Sequence, residues 1–258
     1  MSITAPAVNY WPDNKCAKAF WTQREIPAYR WLLRDTAAWL EPREGDRWLD
    51  LGCGSGQLTR TLWEKSGGTL GEIIALDVAA ANEAGIAKLR ARLTPPATEH
   101  EVNFLCADFS QGLAHFPDAS FDGAASGLAI QYAEHWDEER HCWTGEAYDR
   151  LLADVCRVLR PGGVFVFSVN VPNPSWWTVA LTGVPGFFVA RKPLVYLTNS
   201  WRMMRYGSWL KREAARGRFH YLPWQQLAPK LAAAGFDPIE HKVSFARQAY
   251  VVRCRKPI

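Results

Sequence analysis

Hydrophobic and polar positions alternate between two kinds of periodicity along residues 45–170. Short apolar runs of strand length alternate with longer stretches whose apolar residues recur at helical spacing. The pattern predicts strands at 47–51, 72–76, 102–106, 121–126 and 164–169, with intervening helices at 57–65, 79–93 and 148–159. Regular alternation of strands and helices favours a parallel sheet with helices on both faces, which is an α/β fold.

The alternation of strand and helix patterns ends on either side of this core. Apolar residues recur at helical spacing over 15–40, in a helix that Pro27 bends or breaks. Residues 171–218 contain no clear strand. A helix from Pro223 to Ala234 precedes two closely spaced apolar runs, which predict a terminal hairpin. We therefore expect a single domain over 1–258. Its parts are an N-terminal helical lid (1–44), a core (45–170), an aromatic and basic cap inserted after the fifth strand (171–218), and a segment completing the core (219–258).

The turn after the first predicted strand has an unusual glycine spacing. Gly52, Gly54 and Gly56 form G-x-G-x-G, one residue tighter than the G-x-G-x-x-G of dinucleotide sites, and Asp50 lies just before them. A carboxylate there would repel a pyrophosphate and suits a cationic ligand. The G-K-[ST] of a P-loop is missing. The alternative is an ordinary turn that needs glycine only for its backbone angles.

Two further carboxylates end predicted strands. Asp77 follows the second strand, 21 positions after Gly56, and Asp108 follows the third. Carboxyl ends of parallel strands meet at one edge, where open α/β sheets bind ligands, and an acid at about this offset meets a ribose in nucleotide sites. Each acid could instead cap the next helix. Acids at the ends of three successive strands favour a nucleoside site.

Five segments together resemble the class I S-adenosylmethionine-dependent methyltransferases. They are LDLGCGSG, IIALDVA, FLCADFS, FPDASFD and VCRVLRPGGVFVFSV, and they occur in that family's order and spacing. The likeness is to the small-molecule branch, of the ubiquinone and menaquinone biosynthesis type. It implies a Rossmann-like seven-stranded sheet of order 3-2-1-4-5-7-6, with strand 7 antiparallel.

The resemblance also implies how the cofactor, S-adenosylmethionine, is held. The glycines would admit its methionine part, with Asp50 near the amino group, while Asp77 takes the ribose and Asp108 the adenine amino group. The product would be S-adenosylhomocysteine. The implied cofactor-binding residues are Asp50, Gly52, Gly54, Gly56, Asp77, Val78, Asp108, Phe109, Ser126 and Gly127.

Methyl transfer to an oxygen or nitrogen atom would be an in-line displacement, for which alignment supplies much of the rate. Similar enzymes often have LALHY after strand four, but this chain has Gln131 in place of the histidine. The remaining candidates for a catalytic base are His220, Tyr221 and His135. Each could equally be a packed or surface residue.

Aromatic residues in the lid and the cap predict a flat, largely apolar acceptor. They could also simply pack against one another. The candidate substrate residues are Trp11, Trp21, Gln131, Tyr132, Trp176 and Trp201.

Charge leaves alternatives open. The 258 residues carry a net +4, but eight basic residues against one acidic give segment 191–218 a net +7, leaving −3 elsewhere. That segment could attract an acidic acceptor, track RNA or rest on anionic lipid, as in a membrane-associated lipid or quinone methyltransferase. The modest total charge and the lack of an RNA-binding module argue against nucleic acid. A non-catalytic cofactor-binding module and a nicotinamide oxidoreductase are further alternatives.

Cysteine usage and the N-terminal segment indicate a reducing compartment. The six cysteines form no CxxC pair, which argues against structural zinc and a secreted disulfide framework, so no metal is expected. The first residues lack a basic and then apolar secretory pattern. We therefore expect a cytoplasmic protein. The sequence does not indicate an oligomeric state.

Overall fold

Residues 11, 27–175, 178 and 206–258 are described by the structure, which is a computed structural model. Seven strands of the described residues form the main sheet, and a separate two-stranded hairpin lies outside it. The strands of the main sheet are β1 Arg47–Leu51, β2 Glu72–Asp77, β3 Val102–Cys106, β4 Phe121–Gly127, β7 Leu159–Asn170, β8 Ile239–Ser244 and β9 Ala249–Arg255. Strands β5 His135–Asp137 and β6 Cys142–Thr144 form the hairpin.

The strand order of the main sheet is β3-β2-β1-β4-β7-β9-β8. Strands β3, β2, β1, β4 and β7 pair in parallel, whereas β9 runs antiparallel to both of its neighbours. This arrangement confirms the predicted α/β sheet of order 3-2-1-4-5-7-6. The carboxyl ends of the five parallel strands consequently lie along one edge.

Helices cover both faces of the sheet, because each buries a one-sided apolar stripe. The helices are α1 Pro27–Ala37, α2 Gln57–Lys65, α3 Glu83–Arg90, α4 Glu146–Val158, α5 at 206–215 and α6 Trp224–Ala233. Helix α4 contributes Tyr148, Leu151 and Val155 to the core on one face, together with Leu227 of α6. Leu62 of α2 packs on the other face with residues of α3.

Two boundaries differ from the sequence prediction. The Pro161-Gly162-Gly163 segment was expected to separate a helix from a strand, but it lies inside β7. The pairing register with β4 shifts there, from Phe121 opposite Leu159 to Gly123 opposite Val164. The extra residues of β7 therefore have no partner in β4, and the proline among them needs no ladder hydrogen bond. The helix expected over 79–93 is divided into a 3-10 turn, Ala80–Asn82, and α3.

The β5–β6 hairpin was not predicted. Its strands have three residues each, too few for a period-two pattern to emerge from the polar residues around them. Trp136 pairs directly with Trp143 across the strands, with ring centroids 5.2 Å apart. The sequence signal that could have predicted the hairpin was the pair of tryptophans on either side of the polar run DEERHC.

Candidate active site

The glycine-rich turn lies at the carboxyl edge of the sheet and is tied to the end of β2. The backbone N–H groups of Gly52 and Cys53 donate to the carbonyl oxygen of Leu76, at 2.8 and 3.0 Å. The N–H of Gly54 donates to Oδ2 of Asp77, also at 2.8 Å. The turn and the acid that ends the second strand therefore form one unit.

The three glycines of the turn have different surroundings. A Cβ at Gly52 would lie 2.3 Å from Cβ of Ala129, and one at Gly56 would lie 2.5 Å from Cδ2 of Leu89. Nothing lies within 4 Å of a Cβ position at Gly54. Two glycines therefore permit close packing within the protein, and Gly54 presents backbone to open space that a ligand can approach.

Asp50 is buried beneath the turn, at 1% exposure. Its Oδ2 accepts hydrogen bonds from the backbone N–H of Thr59, at 3.0 Å, and from the Thr59 hydroxyl, at 2.6 Å. Burial raises the pKa of Asp50 to about 6, and the nearby charge of Asp77 acts in the same direction. The acid thus links strand β1 to helix α2, and a cation at the turn would stabilise its charged form.

Asp77 and Asp108 also order the chain after their strands. Oδ1 of Asp77 accepts from the N–H of Ala79 at 2.9 Å, and burial raises the pKa of Asp77. Oδ1 of Asp108 accepts from the N–H of Ser110 at 2.8 Å, which caps the short 3-10 helix Phe109–Gln111. Capping was the alternative that the sequence left open for these acids. Asp108 does cap its helix, whereas Asp77 orders the residues before the 3-10 turn Ala80–Asn82 without capping it.

The remaining cofactor candidates lie around the same edge. The Phe109 ring comes within 3.5 Å of the Cβ position at Gly52, which places it over the turn. Val78 follows Asp77 directly, and its carbonyl oxygen accepts from the thiol of Cys106 at 3.6 Å. Ser126 is fully buried and donates to the carbonyl of Leu51 at 2.8 Å, so its hydroxyl joins β4 to β1. Gly127 ends β4 beside Leu58.

Four polar side chains, which we call the polar group, meet where β4 and β7 end: Gln131, Tyr132, Asn170 and Tyr221. The Asn170 N–H donates to Oε1 of Gln131 at 2.5 Å, and the hydroxyls of Tyr132 and Tyr221 are 3.2 Å apart. Burial raises the pKa of Tyr132 to about 12 and raises the pKa of Tyr221 well above its usual value. A hydrogen bond from the Asn170 side chain lowers both pKa values, but by less than burial raises them. Both phenols are therefore neutral at physiological pH.

Asn170 was not among the residues predicted from the sequence. The available signal was a polar residue at the end of the apolar run VFVFSVN, at the edge where ligands bind.

An aromatic cluster covers the polar group and consists of Trp11, Tyr132, Tyr206, Trp209 and Phe219. The ring centroid of Trp11 lies 4.6 Å from that of Tyr132 and 6.3 Å from that of Phe219. The structure thus brings together three predicted substrate residues, Trp11, Gln131 and Tyr132. Trp21, Trp176 and Trp201 lie outside the described residues.

The three candidates for a catalytic base have different environments. Nε2 of His220 donates to the carbonyl of Ala133 at 2.8 Å, and its ring stacks on Tyr148 with centroids 4.7 Å apart. Burial lowers the pKa of His220 to about 4, so its contacts and its weak basicity argue against the predicted base role. His135 lies in the hairpin and bonds Thr144 through Nδ1 at 2.8 Å. Tyr221 belongs to the polar group.

Within 27–175 and 206–258, no three His, Cys, Asp or Glu side chains gather in a way that could hold a metal ion. None of the helices in these ranges has the length and apolar character needed to span a membrane.

Comparison with known proteins finds one matching family model, over slightly less than half of the chain. Residues 49–167 match the family described as "Methyltransferase domain". Two curated relatives are tRNA (guanine-N(7)-)-methyltransferases of Nitrobacter hamburgensis and Nitrobacter winogradskyi, 30% and 27% identical over 46% and 52% of this chain. The matched part spans about half the length of these relatives, 46% and 52% respectively.

Solved structures share the fold. An S-adenosylmethionine-dependent methyltransferase from Mesorhizobium loti is 23% identical, with a TM-score of 0.55 over 89% of this chain and 99% of that one. A putative methyltransferase of Haloferax volcanii, solved with the Trm112 activator, is 17% identical, with a TM-score of 0.60 over 96% of both chains. At these identities the likeness concerns the fold.

Proposed function

We propose that this chain, whose residues 49–167 match a methyltransferase domain, is a class I S-adenosylmethionine-dependent methyltransferase that transfers the methyl group of S-adenosylmethionine to an oxygen or nitrogen atom of a small, largely apolar metabolite. The observation that carries this proposal is the open space at Gly54, next to Asp77 and at the carboxyl edge of the sheet. An aromatic cluster faces the adjoining strand ends.

The residues at this edge fit the cofactor. Backbone at Gly54 can approach the methionine part, and the buried carboxylate of Asp50 suits a positive charge. Asp77 would take the ribose hydroxyls, and Asp108 would accept from the adenine amino group. Val78 and Phe109 would flank the ring, with Ser126 and Gly127 near the methionine end.

The bound cofactor supplies a methyl group on a sulfonium, which is already an activated leaving group. The chain's own residues then have to orient the acceptor and exclude water, and good alignment of reacting groups can contribute about 7–11 kcal/mol. The aromatic cluster offers apolar surface to a flat acceptor, and the polar group offers hydrogen-bond partners at the strand ends. No step requires His220 to act as a base.

Cofactor binding can be tested with one substitution and a matched control. We expect Asp77→Asn to weaken S-adenosylhomocysteine binding about tenfold or more, because a charge-assisted hydrogen bond is lost. Asp118→Asn changes a largely exposed aspartate and should leave the affinity unchanged. Isothermal calorimetry measures both. Equal affinities for the two variants and the unchanged protein would contradict the assignment.

The acceptor class can be tested with methyl-labelled S-adenosylmethionine and a cell extract. We expect label in organic-extractable small molecules. Label in RNA or protein instead would refute the proposed acceptor. NAD, compared in the same binding assay, should not bind; its binding would favour an oxidoreductase.

RNA is the second candidate acceptor, because curated relatives include two tRNA methyltransferases and an mRNA cap guanine-N(7) methyltransferase of Arabidopsis thaliana, 34% identical over 52% of this chain and 35% of its own length. The described part of the basic segment gives it partial support, because Lys211 and Arg212 are exposed but the other two basic residues are engaged in ion pairs. Arg218 is buried against Glu134, and Arg216 pairs with Glu213 at 2.9 Å. Contact with anionic lipid stays a prediction, since residues 179–205 lie outside the described ranges.

A further inference from the structure

Asn170 ends strand β7 with a buried side chain, at 1% exposure. Its Oδ1 has no hydrogen-bond partner among the described residues, although the backbone N–H of the same residue donates to Gln131. An unpaired buried acceptor destabilises the folded protein. The same side chain bonds the phenols of Tyr132 and Tyr221, and a bound acceptor molecule can supply the donor that Oδ1 lacks.

The position of Asn170 relates it to the reacting end of the site. Strand β7 pairs with β4, where Gly127 lies opposite Ser168, and the N–H of Leu128 donates to the Ser168 carbonyl at 3.0 Å. Asn170 lies two residues further along the same edge, beside the 3-10 helix Ile130–Tyr132. Asp77 and Asp108 lie on the opposite side of β1. Asn170 is thus on the methionine side of the proposed cofactor site.

The titratable groups around Asn170 that belong to the described ranges are poor proton acceptors. Tyr132 and Tyr221 are neutral phenols, and Nε2 of His220 already donates to Ala133. Glu134 is held in an ion pair with Arg218. A hydroxyl acceptor must give up its proton when its oxygen is methylated, and none of these groups is placed to receive it.

We propose that the methylated atom is the nitrogen of a neutral amine, which donates an N–H hydrogen bond to Oδ1 of Asn170. This inference rests on the proposed methyl transfer and names its substrate class. The hydrogen bond would turn the nitrogen lone pair toward the methyl carbon.

The step balances without a base. The lone pair forms the N–C bond, the C–S bond breaks, and its electron pair stays on sulfur as a neutral thioether. The positive charge passes to nitrogen, and the ammonium releases a proton to water afterwards. Oδ1 of Asn170, the phenol oxygens and the faces of the aromatic rings all stabilise charge at that position.

The substrate class can be tested by blocking amines. Two portions of the small-molecule fraction of a cell extract are compared, one untreated and one acetylated with an N-hydroxysuccinimide ester that consumes amines. Each is incubated with the full chain and S-adenosylmethionine carrying a ¹³C-methyl group. We expect label in the untreated portion only, and a ¹³C shift of an N-methyl group.

The outcomes separate the two proposals. An O-, S- or C-methyl product, or equal labelling after acetylation, overturns the amine assignment and leaves methyl transfer standing. Absence of label from both portions, together with absence of S-adenosylhomocysteine binding, overturns the proposed function and the amine assignment with it. Absence of label from both portions despite tight binding of S-adenosylhomocysteine overturns the amine assignment and methyl transfer to a small molecule.

Asn170→Leu tests the residue itself. With the labelled amine product as a standard, we expect kcat/KM for the amine to fall about tenfold or more while S-adenosylhomocysteine affinity stays unchanged. Asn103→Leu, at an exposed asparagine of β3, is the matched control and should change neither quantity. A merely structural role for Asn170 would lower thermal stability and cofactor affinity together, without a selective fall in kcat/KM.

Discussion

At the scale of single residues, His220 shows how burial decides the chemistry of a side chain. Its ring is stacked on Tyr148, and its Nε2 is committed to a backbone carbonyl. The backbone N–H of the same residue donates to the carbonyl of Gln131 at 2.9 Å. Through these three contacts His220 joins the end of the cap to the segment after β4, and it does so in the neutral state.

This environment predicts acid sensitivity. Burial lowers the pKa of His220 to about 4 from a usual 6.5, so the unfolded chain takes up a proton first as the pH falls. The stabilisation is complete above pH 6.5 and is lost as the pH falls toward 4, by about 3 kcal/mol in total. His220→Gln keeps a donor without titrating, and urea unfolding of both proteins at pH 7 and pH 4.5 should show a smaller loss in the variant.

The same variant separates packing from catalysis. We expect His220→Gln to retain methyl transfer in proportion to its folded fraction. A large fall in kcat with an unchanged unfolding free energy at pH 7 would restore the base role.

At the scale of elements, the turn between β1 and α2 combines two functions in five residues. Gly56 lets α3 pack close to the start of α2, since Leu89 and Ile86 occupy the space a side chain would need. Gly54 faces open space at the strand edge. All three glycines have positive φ, between 51° and 77°, which L-residues rarely adopt.

Alanine at Gly54 and at Gly56 should therefore have different consequences. Both changes incur the left-handed backbone cost of about 1–2 kcal/mol. Gly56→Ala adds overpacking against Leu89 and Ile86, typically about 1–3 kcal/mol more. Gly54→Ala should instead weaken S-adenosylhomocysteine binding more strongly. Urea unfolding and calorimetry on the two variants measure both effects, and an unchanged affinity in Gly54→Ala would show that this backbone does not contact the cofactor.

At the scale of the whole molecule, a buried ion-pair cluster fastens the end of the cap to the core. Arg218 donates to Glu134, which precedes β5, and its Nη1 lies 3.4 Å from Glu213 of α5. The guanidinium also lies over the Trp143 ring, 4.7 Å from its centroid. Arg218 therefore neutralises two buried acids from different parts of the chain.

Removal of Arg218 should destabilise the protein strongly. Arg218→Met removes the cation that pairs with buried Glu134, whereas Glu213 keeps its pair with Arg216. Breaking a buried pair typically costs about 3–5 kcal/mol. The double variant Arg218→Met/Glu134→Gln should recover part of this loss, because one uncompensated charge is removed as well. Urea unfolding at neutral pH measures each free energy. Additive losses in the double variant would show that the two side chains are not coupled.

Much of this molecule follows from the local pattern of its sequence. The parallel sheet, the glycine turn at 52–56 and the acids at strand ends were predicted from the pattern, because strand–helix alternation favours a parallel sheet and parallel strands bring their carboxyl ends together. The strand order was implied by the family resemblance. Apolar period and turn residues are local properties. They sufficed to place Asp50, Asp77 and Asp108 at one edge of the sheet.

Other features depend on contacts between residues far apart in sequence. The register shift within β7 depends on its pairing with β4, and the β5–β6 hairpin depends on the contact between Trp136 and Trp143. Nothing local distinguishes His220 from a reactive histidine until Tyr148 and Ala133 surround it. Asn170 likewise becomes a candidate only because the fold buries its Oδ1 away from a described partner. The sequence alone determined the fold and the edge of the sheet where the acids gather. Burial and hydrogen-bond partners, which set the pKa values and leave Oδ1 of Asn170 unpaired, were decided by the tertiary structure.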